Sequence, residues 1–195
     1  MSQATARKLY SPEEYLTFEE TALERHEYLD GEIRLMPGGM PNHNKISGRS
    51  YALLLTGLDS QPFDVFHADQ RLWIPEKNTY TYPDVMVLPD PWESQPGRED
   101  NLMNPVLIAE VLSKSTQAYD RDEKFDIYKA IPSLREYLLV DQYQLEVWQF
   151  IKQPDHQWSE TILNGLDATL ALTIANITIK LTDLYQKTNL TSTAS

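Results

Sequence analysis

The chain has 195 residues, of which 41% are hydrophobic and 24% charged, with a formal net charge of −12 and no cysteine. This size and composition indicate one globular domain, and the lack of cysteine excludes disulfide bonds and thiolate zinc sites. The acidic balance argues against a protein that binds DNA or a membrane through a basic surface. It does not exclude an enzyme that acts on nucleic acid, because bound divalent cations reverse the local field. No apolar run suits a membrane span or a signal peptide, so we expect a cytoplasmic protein without membrane contact.

The N-terminal part of the chain predicts a capped helix followed by a tight hairpin. Residues 11–14 (Ser-Pro-Glu-Glu) place Ser at the N-cap, Pro at the first helical position and Glu three residues after the Ser. We expect this helix to end near Arg25. Residues 26–36 predict a hairpin, because Asp30 and Gly31 form a two-residue turn signal between apolar positions.

A second helix and a series of strands follow. Asn42 or Asn44 caps the predicted helix, which runs to about Leu58. Residues 89–104 are rich in Pro and polar residues and predict a surface loop. The strands expected on either side of this loop are 63–67, 71–74, 80–88 and 105–112. The strand at 105–112 is almost continuously apolar, which is typical of a strand covered on both faces.

The remaining elements complete a mixed α/β fold. Thr116 or Asp120 opens a helix that stops before Pro132. Further strands are expected at 136–140, 145–151, 158–163 and 170–174, with a short helix at 181–185. The order predicts a mixed β-sheet flanked by α-helices. We expect a flexible arm at 1–10, a single domain at 11–187 and a disordered tail at 188–195.

Two carboxylates in otherwise apolar strands are the main functional signal. Asp84 follows Pro83 at the start of one strand segment, and Glu110 lies near the end of the apolar strand. An isolated ionised carboxylate there is costly unless it is paired or binds a metal. If the strands are neighbours, the two carboxylates and the Val111 carbonyl form an oxygen site that suits Mg²⁺ or Mn²⁺. Such ions promote the hydrolysis of phosphate esters.

Lys124 is the candidate cation near the phosphate, because phosphoryl chemistry commonly uses a lysine there. It lies on the helix after the Glu110 strand, with Tyr128 four residues on and on the same face. Structural explanations compete with this interpretation. An Asp after Pro is common at a strand start, and a Glu at a strand end is common in salt bridges. A lysine within a charged run is typical of a solvated helix face.

Several short motifs stand in one order along residues 10–185: Glu27–Glu32, His43, Pro83–Val85, Glu110–Ser113, Asp120 with Lys124 and Tyr128, and Glu136–Asp141. This order resembles the Uma-type family of restriction endonucleases, within the PD-(D/E)XK nuclease superfamily. The resemblance covers most of the chain, although none of the motifs is specific by itself.

The resemblance implies a restriction-endonuclease-like α/β core with Asp84 and Glu110 as metal ligands. It also implies that Glu27 is a further acidic residue near the site. One departure concerns the lysine that the superfamily places two residues after the glutamate, where this chain has Leu112. Relatives supply the lysine from the following helix, which makes Lys124 the substitute and Lys114 the less favoured alternative.

The functional hypothesis is a Mg²⁺- or Mn²⁺-dependent endonuclease that cleaves DNA, and we expect a homodimer. His43 is a possible substrate contact, although a loop histidine without function explains it as well. Gln70, taken to lie on a central strand, and Tyr128 are further possible contacts. The alternatives are a nuclease-fold binding module without catalysis, which Leu112 favours, and a phosphohydrolase that acts on smaller substrates.

Overall fold

Two six-stranded mixed sheets form the body of the protein in the computed structural model, which describes residues 8–36, 38–113 and 117–190. The strands are β1 (His26–Leu29), β2 (Glu32–Leu35), β3 (Phe63–His67), β4 (Arg71–Ile74), β5 (Thr79–Thr81), β6 (Val85–Pro89), β7 (Ser94–Gln95), β8 (Arg98–Leu102), β9 (Leu107–Leu112), β10 (Glu136–Asp141), β11 (Glu146–Lys152), β12 (Trp158–Asn164), β13 (Thr169–Leu172) and β14 (Ile177–Lys180). The helices are α1 (Pro12–Glu19), α2 (Pro41–Leu58), α3 (Gln117–Arg121), α4 (Glu123–Tyr128) and α5 (Leu181–Leu184). The predicted class, a mixed α/β core flanked by helices, is confirmed, with two large sheets instead of one.

The strand order of the sheets brings distant parts of the chain together. The first sheet has the order β2-β1-β5-β4-β8-β7, and the second has β12-β11-β10-β9-β6-β3, while β13 and β14 form a separate pair. In the second sheet β9 runs parallel to β10 and antiparallel to β6. The strand that carries Glu110 is therefore central, with a partner on each side.

Strand β9 is covered on both faces, as its apolar sequence predicts. Leu107, Ala109 and Val111 pack into a core that includes residues of α2. Ile108 and Leu112 pack on the other face, into a core that includes α4. Because successive strand residues point to opposite faces, Glu110 lies on the α4 side.

The N-terminal predictions are confirmed at the start of the helix and at the hairpin. The Ser11 hydroxyl accepts from the backbone of Glu14, and the Glu14 side chain accepts from the backbone of Ser11. The hairpin turn has positive φ at both Asp30 and Gly31, as the two-residue turn requires. The predicted helix end near Arg25 is wrong, because α1 ends at Glu19, beyond which no apolar face continues into the core.

The predicted strand at 80–88 is wrong in a way that matters for the site. It is two strands, β5 and β6, which belong to different sheets. The break falls at Tyr82, Pro83 and Asp84, where proline fixes φ and removes a donor from the ladder. Asp84 therefore lies where the chain crosses from one sheet to the other.

Two further boundaries differ from the sequence prediction. The predicted loop at 89–104 contains β7 and β8, joined through a turn in which Gly97 has a φ of 80°. Their polar composition hid these strands: β7 is the edge strand of the first sheet, and β8 lies between it and β4. Helix α2 begins at Pro41 with Met40 as its N-cap, so neither Asn42 nor Asn44 caps it.

The helical segment after β9 is divided into α3 and α4, separated at Asp122. Its first predicted cap, Thr116, lies outside the described residues, as do residues 1–7 of the predicted arm and 191–195 of the predicted tail. The inner ends of both segments have contacts. The Tyr10 N–H donates to the Gly31 carbonyl at 2.9 Å, and Leu190 packs against the core. Across residues 8–36, 38–113 and 117–190, no helix combines the length and apolar character needed to cross a bilayer.

Candidate active site

Asp84 lies at the crossing between the two sheets, and its side chain is held by two donors. The backbone N–H of Val111 donates to Asp84 Oδ2 at 2.8 Å. The Nε2 atom of His43, from the first turn of α2, lies 3.2 Å from the same oxygen. The Asp84 carboxylate is thus fixed against the end of β9, because both donors come from ordered elements.

Glu110 is the buried centre of the site, with its side chain only 5% exposed. Its Oε1 lies 2.9 Å from Lys124 Nζ and accepts from the Tyr128 hydroxyl at 2.6 Å. Its Oε2 accepts from the backbone N–H of Asp84 at 3.3 Å. The Glu110 side chain thus bonds the backbone of Asp84, and the Asp84 side chain bonds the backbone of Val111, the residue after Glu110. These two hydrogen bonds bring the two predicted carboxylates together.

Lys124, and not a residue at position 112, brings an ammonium group to Glu110. Leu112 is fully buried in the apolar core beneath α4 and leaves no polar group there. Lys124 reaches Glu110 from α4, and its Nζ also lies 3.4 Å from Glu27 Oε1 and 3.9 Å from Asp120 Oδ1. Helix α4 packs on the face of the sheet that carries Glu110. The Lys124 side chain therefore reaches Glu110 from the helix and not from the strand.

Glu27 joins the site because β1 pairs with β5 in the first sheet. The Thr81 hydroxyl, at the end of β5, donates a hydrogen bond to Glu27 Oε1. This oxygen is the one that faces Lys124. The predicted proximity of Glu27 to the other acidic residues is therefore seen in the geometry.

Negative charge is in excess in this buried group. Four carboxylates surround one ammonium and one imidazole; the acidic members are Glu27, Asp84, Glu110 and Asp120. Burial raises the pKa of Glu110 to about 7, helped by Asp84 and opposed by Lys124. Burial lowers the pKa of Lys124, but Glu110 and Glu27 outweigh it and raise that pKa well above its usual value. Burial also lowers the pKa of His43, and its bond to Asp84 gives a net rise.

The carboxylate oxygens of this site suit a hard divalent cation, because Mg²⁺ and Mn²⁺ prefer oxygen ligands. A strand residue directs its N–H and C=O to the same edge, so the Val111 carbonyl faces the side on which Asp84 lies. In the part of the chain that the structure describes, no three His, Asp or Glu side chains are arranged to ligate a metal by themselves. A cation here would therefore need backbone or water oxygens beside Asp84 and Glu110.

Two residues predicted as substrate contacts, Gln70 and Tyr128, do not line the cleft at this site. Gln70 is in the turn before β4, and its Nε2 donates to the Asp100 carbonyl at 2.9 Å. It lines a different cleft, so its placement on a central strand beside the site is wrong. Tyr128 is fully buried and bonds Glu110, so it supports that carboxylate and does not face a substrate.

The site opens into a cleft of about 390 Å³ that contains residues the sequence analysis did not assign. Asp120 lies four residues before Lys124, a helical spacing that could have identified it. Tyr119 also lines the cleft, and its buried hydroxyl has no hydrogen-bond partner among the residues that the structure describes. Arg34 lies over the Tyr119 ring, 5.8 Å from its centroid. No local pattern marks Tyr119, because its environment depends on the β1–β2 hairpin.

The geometry agrees with similarity to known proteins. The chain is 37% identical over 177 residues to the uncharacterized protein sll1609 of Synechocystis, covering 91% of this chain and all of that protein. It is 41% identical over 148 residues to slr1290 of the same organism, covering 76% of this chain and 77% of that one.

A solved structure shares the fold. It is described as a "putative nuclease belonging to DUF820" from Anabaena variabilis and has a TM-score of 0.71. The match covers 90% of this chain and 97% of that one at 16% identity, so it supports the fold alone. The profile of the Uma2 family, described as "Putative restriction endonuclease", matches residues 12–182. The chain therefore belongs to the Uma2 family.

Proposed function

We propose that this protein is a metal-dependent endonuclease that hydrolyses phosphodiester bonds in DNA. The observation that carries the proposal is the contact of Lys124 Nζ with Glu110 Oε1 at 2.9 Å, beside Asp84 in the same cleft. Two carboxylates and a lysine that converge in this way are the groups that phosphodiester hydrolysis needs. Membership of the family supports the same reaction class.

In this proposal Asp84, Glu110 and the Val111 carbonyl would hold a Mg²⁺ or Mn²⁺ ion. When bound, such an ion would neutralise charge on the phosphate and lower the pKa of a water molecule. The Tyr128 hydroxyl and the Val111 N–H fix the two carboxylates before substrate arrives, so no reorganisation is needed during the reaction.

Lys124 is the residue that contributes a positive charge from the protein to the phosphate. Its ammonium is protonated, because Glu110 and Glu27 raise its pKa. Glu27 Oε1 is a second carboxylate partner, 3.4 Å from Nζ, and it helps to restrict the lysine to the neighbourhood of Glu110. From there Nζ donates a hydrogen bond to an oxygen of the scissile phosphate and stabilises the charge that develops on it.

His43 has a positioning role in this scheme. Its Nε2 fixes Asp84 Oδ2, and the resulting ion pair favours the protonated imidazole. We also propose that the protein acts as a homodimer, the commonest form of oligomer.

Cleavage assays with purified variants test the proposal. Supercoiled plasmid and single-stranded DNA are incubated with Mg²⁺ or Mn²⁺ and with wild type, Asp84→Asn, Glu110→Gln or Lys124→Met. Glu136→Gln is the matched control, since Glu136 is also a fully buried carboxylate but bonds Gln149 and Thr173 away from the cleft. We expect the first three variants to lose cleavage and the control to retain it.

Other outcomes decide against the assignment. Cleavage that survives in both Asp84→Asn and Glu110→Gln would show that another site performs the reaction. An absence of cleavage in the wild type, together with no metal-dependent rise in melting temperature, would favour the non-catalytic binding module. Cleavage of small phosphodiesters but not of DNA would favour a phosphohydrolase.

A further inference from the structure

Exposed apolar side chains are concentrated at the mouth of the candidate active site. The described part of the chain has nine large hydrophobic side chains that are strongly exposed, and three of them line this cleft. They are Leu35 at the end of β2 (53% exposed), Met40 before α2 (60%) and Tyr143 after β10 (40%). Such clustering beside an acidic site points to a ligand with an apolar face.

The two sides of this rim are held together by hydrogen bonds. Asn42, in the first turn of α2, donates to the Gln142 carbonyl at 3.2 Å. The Gln142 side chain donates to the Leu112 carbonyl at 2.7 Å, at the end of β9. The backbone N–H of Tyr143 donates to Asp141 Oδ1 at 2.6 Å. Tyr143 and Met40 thus lie on two hydrogen-bonded segments that line the same cleft as Glu110 and Asp84.

The same cleft offers little to a DNA duplex. Among its described lining residues Lys124 is the one Lys or Arg, and it is paired with Glu27 and Glu110. Duplex binding depends mainly on neutralising phosphates with exposed cations, and its strength grows with their number. The site is also recessed, because the Glu110 and Lys124 side chains are both less than 10% exposed. A stacked duplex would have to distort to place a phosphate there, and an unpaired strand avoids that cost.

We propose that the substrate is DNA with unpaired bases, and that Tyr143 and Met40 stack on a base next to the scissile phosphate. Stacking on an aromatic side chain is the usual way in which proteins hold single strands, and every base offers a face for it. Tyr143 supplies the aromatic ring, and Met40 supplies a flexible side chain that follows the base. The inference rests on the proposed function for its chemistry, but the binding it predicts is measurable without cleavage.

Fluorescence anisotropy with end-labelled oligonucleotides tests the inference. The full chain is titrated, with Ca²⁺ in place of Mg²⁺, against a single strand, the matching duplex and a duplex with a central unpaired bubble. We expect the single strand and the bubble to bind at least about 10-fold more tightly than the duplex. Equal or tighter binding of the duplex would overturn the proposal, and so would tighter binding of an RNA strand of the same sequence.

Variants of the rim residues test whether Tyr143 and Met40 contact the base. Tyr143→Ala and Met40→Ser should each weaken single-strand binding by roughly 10-fold, and Tyr143→Phe should retain it, because the ring provides the stacking. Trp92→Ala is the matched control, since Trp92 is an aromatic side chain with the same 40% exposure that does not line the cleft. Unchanged affinity in Tyr143→Ala, or an equal loss in Trp92→Ala, would refute the stacking role.

The two proposals fail in different ways. If the wild type cuts no DNA but binds single strands with the expected variant pattern, the proposed catalysis fails and the substrate inference holds. If the wild type cuts duplex plasmid and Tyr143→Ala leaves KM unchanged on every substrate, the catalysis holds and the inference fails.

Discussion

Lys124 and Glu110 form the shortest ion pair of the cleft in the described residues, with Nζ 2.9 Å from Oε1. They belong to a helix and a central strand that meet only through tertiary packing. The pair places a cation within reach of Glu110, although Leu112 occupies the sequence position expected for the lysine.

Replacing this lysine tests whether it acts in the reaction. We expect Lys124→Met to lower the single-turnover cleavage rate by at least about 100-fold, because a preorganised charge at the reacting phosphate is lost. Lys124→Arg should not rescue the rate, since a planar guanidinium does not reproduce a compact ammonium. Single-turnover cleavage measures both. The rise in melting temperature with Mg²⁺ should persist in both variants, because Asp84 and Glu110 remain. A wild-type rate in Lys124→Met would transfer the role to another cation, with Lys114 as the first candidate.

The raised pKa of Glu110 predicts how stability depends on pH without added metal. The pKa is about 7 in the folded protein and 4.5 ordinarily, so the folded state binds this proton more tightly. Protonation of Glu110 therefore stabilises the folded protein. This stabilisation is fully present below about pH 4.5 and is lost as pH rises through 7. The gap between the two pKa values corresponds to roughly 3 kcal/mol in the free energy of unfolding.

Urea unfolding at about pH 5 and about pH 8 checks this expectation, with the wild type becoming less stable at the higher pH. Glu110→Gln should lose most of this decline. A smaller part should remain, because His43 also has a raised pKa and acts in the same direction. A decline of equal size in Glu110→Gln would show that another group causes it.

Tyr128→Phe removes a single hydrogen bond from the Glu110 carboxylate. The Tyr128 hydroxyl donates to Oε1 at 2.6 Å inside the protein. Because hydrogen bonds to charged groups contribute about 1.5–3 kcal/mol, we expect a loss of that size at pH 8. The loss should be smaller at pH 5, where Glu110 is protonated and gains less from the donor. Denaturant unfolding of both proteins at the two pH values measures the difference, and an equal loss at both would contradict it.

Tyr119→Phe should have the opposite effect on stability. The Tyr119 hydroxyl is buried and has no hydrogen-bond partner among residues 8–36, 38–113 and 117–190, and an unsatisfied buried donor costs about 1–3 kcal/mol. The variant should therefore be more stable than the wild type by on the order of 1 kcal/mol, measured by thermal or urea unfolding. The ring and its contact with Arg34 are kept, so a loss of stability would mean that the hydroxyl has a partner in solution.

Much of the site could be predicted because its signals are local. Asp84 and Glu110 each stand out as a carboxylate in an apolar strand, and the cost of burying charge gives that pattern a meaning. Lys124 and Tyr128 share a helix face, which the spacing alone indicates. The resemblance to a family added Glu27, which composition and periodicity do not mark.

Other predictions failed where two structures give the same local pattern. Gln70 looked like part of a strand, because a turn just before β4 has no strong signal of its own. The segment 80–88 looked like one strand, because the pattern does not reveal that its two halves pair in different sheets. The rim residues Met40 and Tyr143 gave no signal, since an exposed apolar residue is common on any surface.

The sequence by itself determined which residue types carry the chemistry, because burying an unpaired carboxylate is costly wherever the chain places it. It also determined most helices and strands, since those follow from hydrophobic spacing over a few residues. Only the tertiary structure decided that Asp84 lies at the crossing between sheets and that Lys124 reaches Glu110. It also placed Tyr143 and Met40 at the mouth of the cleft. These are distances between elements far apart in the chain, and they are set by sheet pairing and helix packing that no local pattern records.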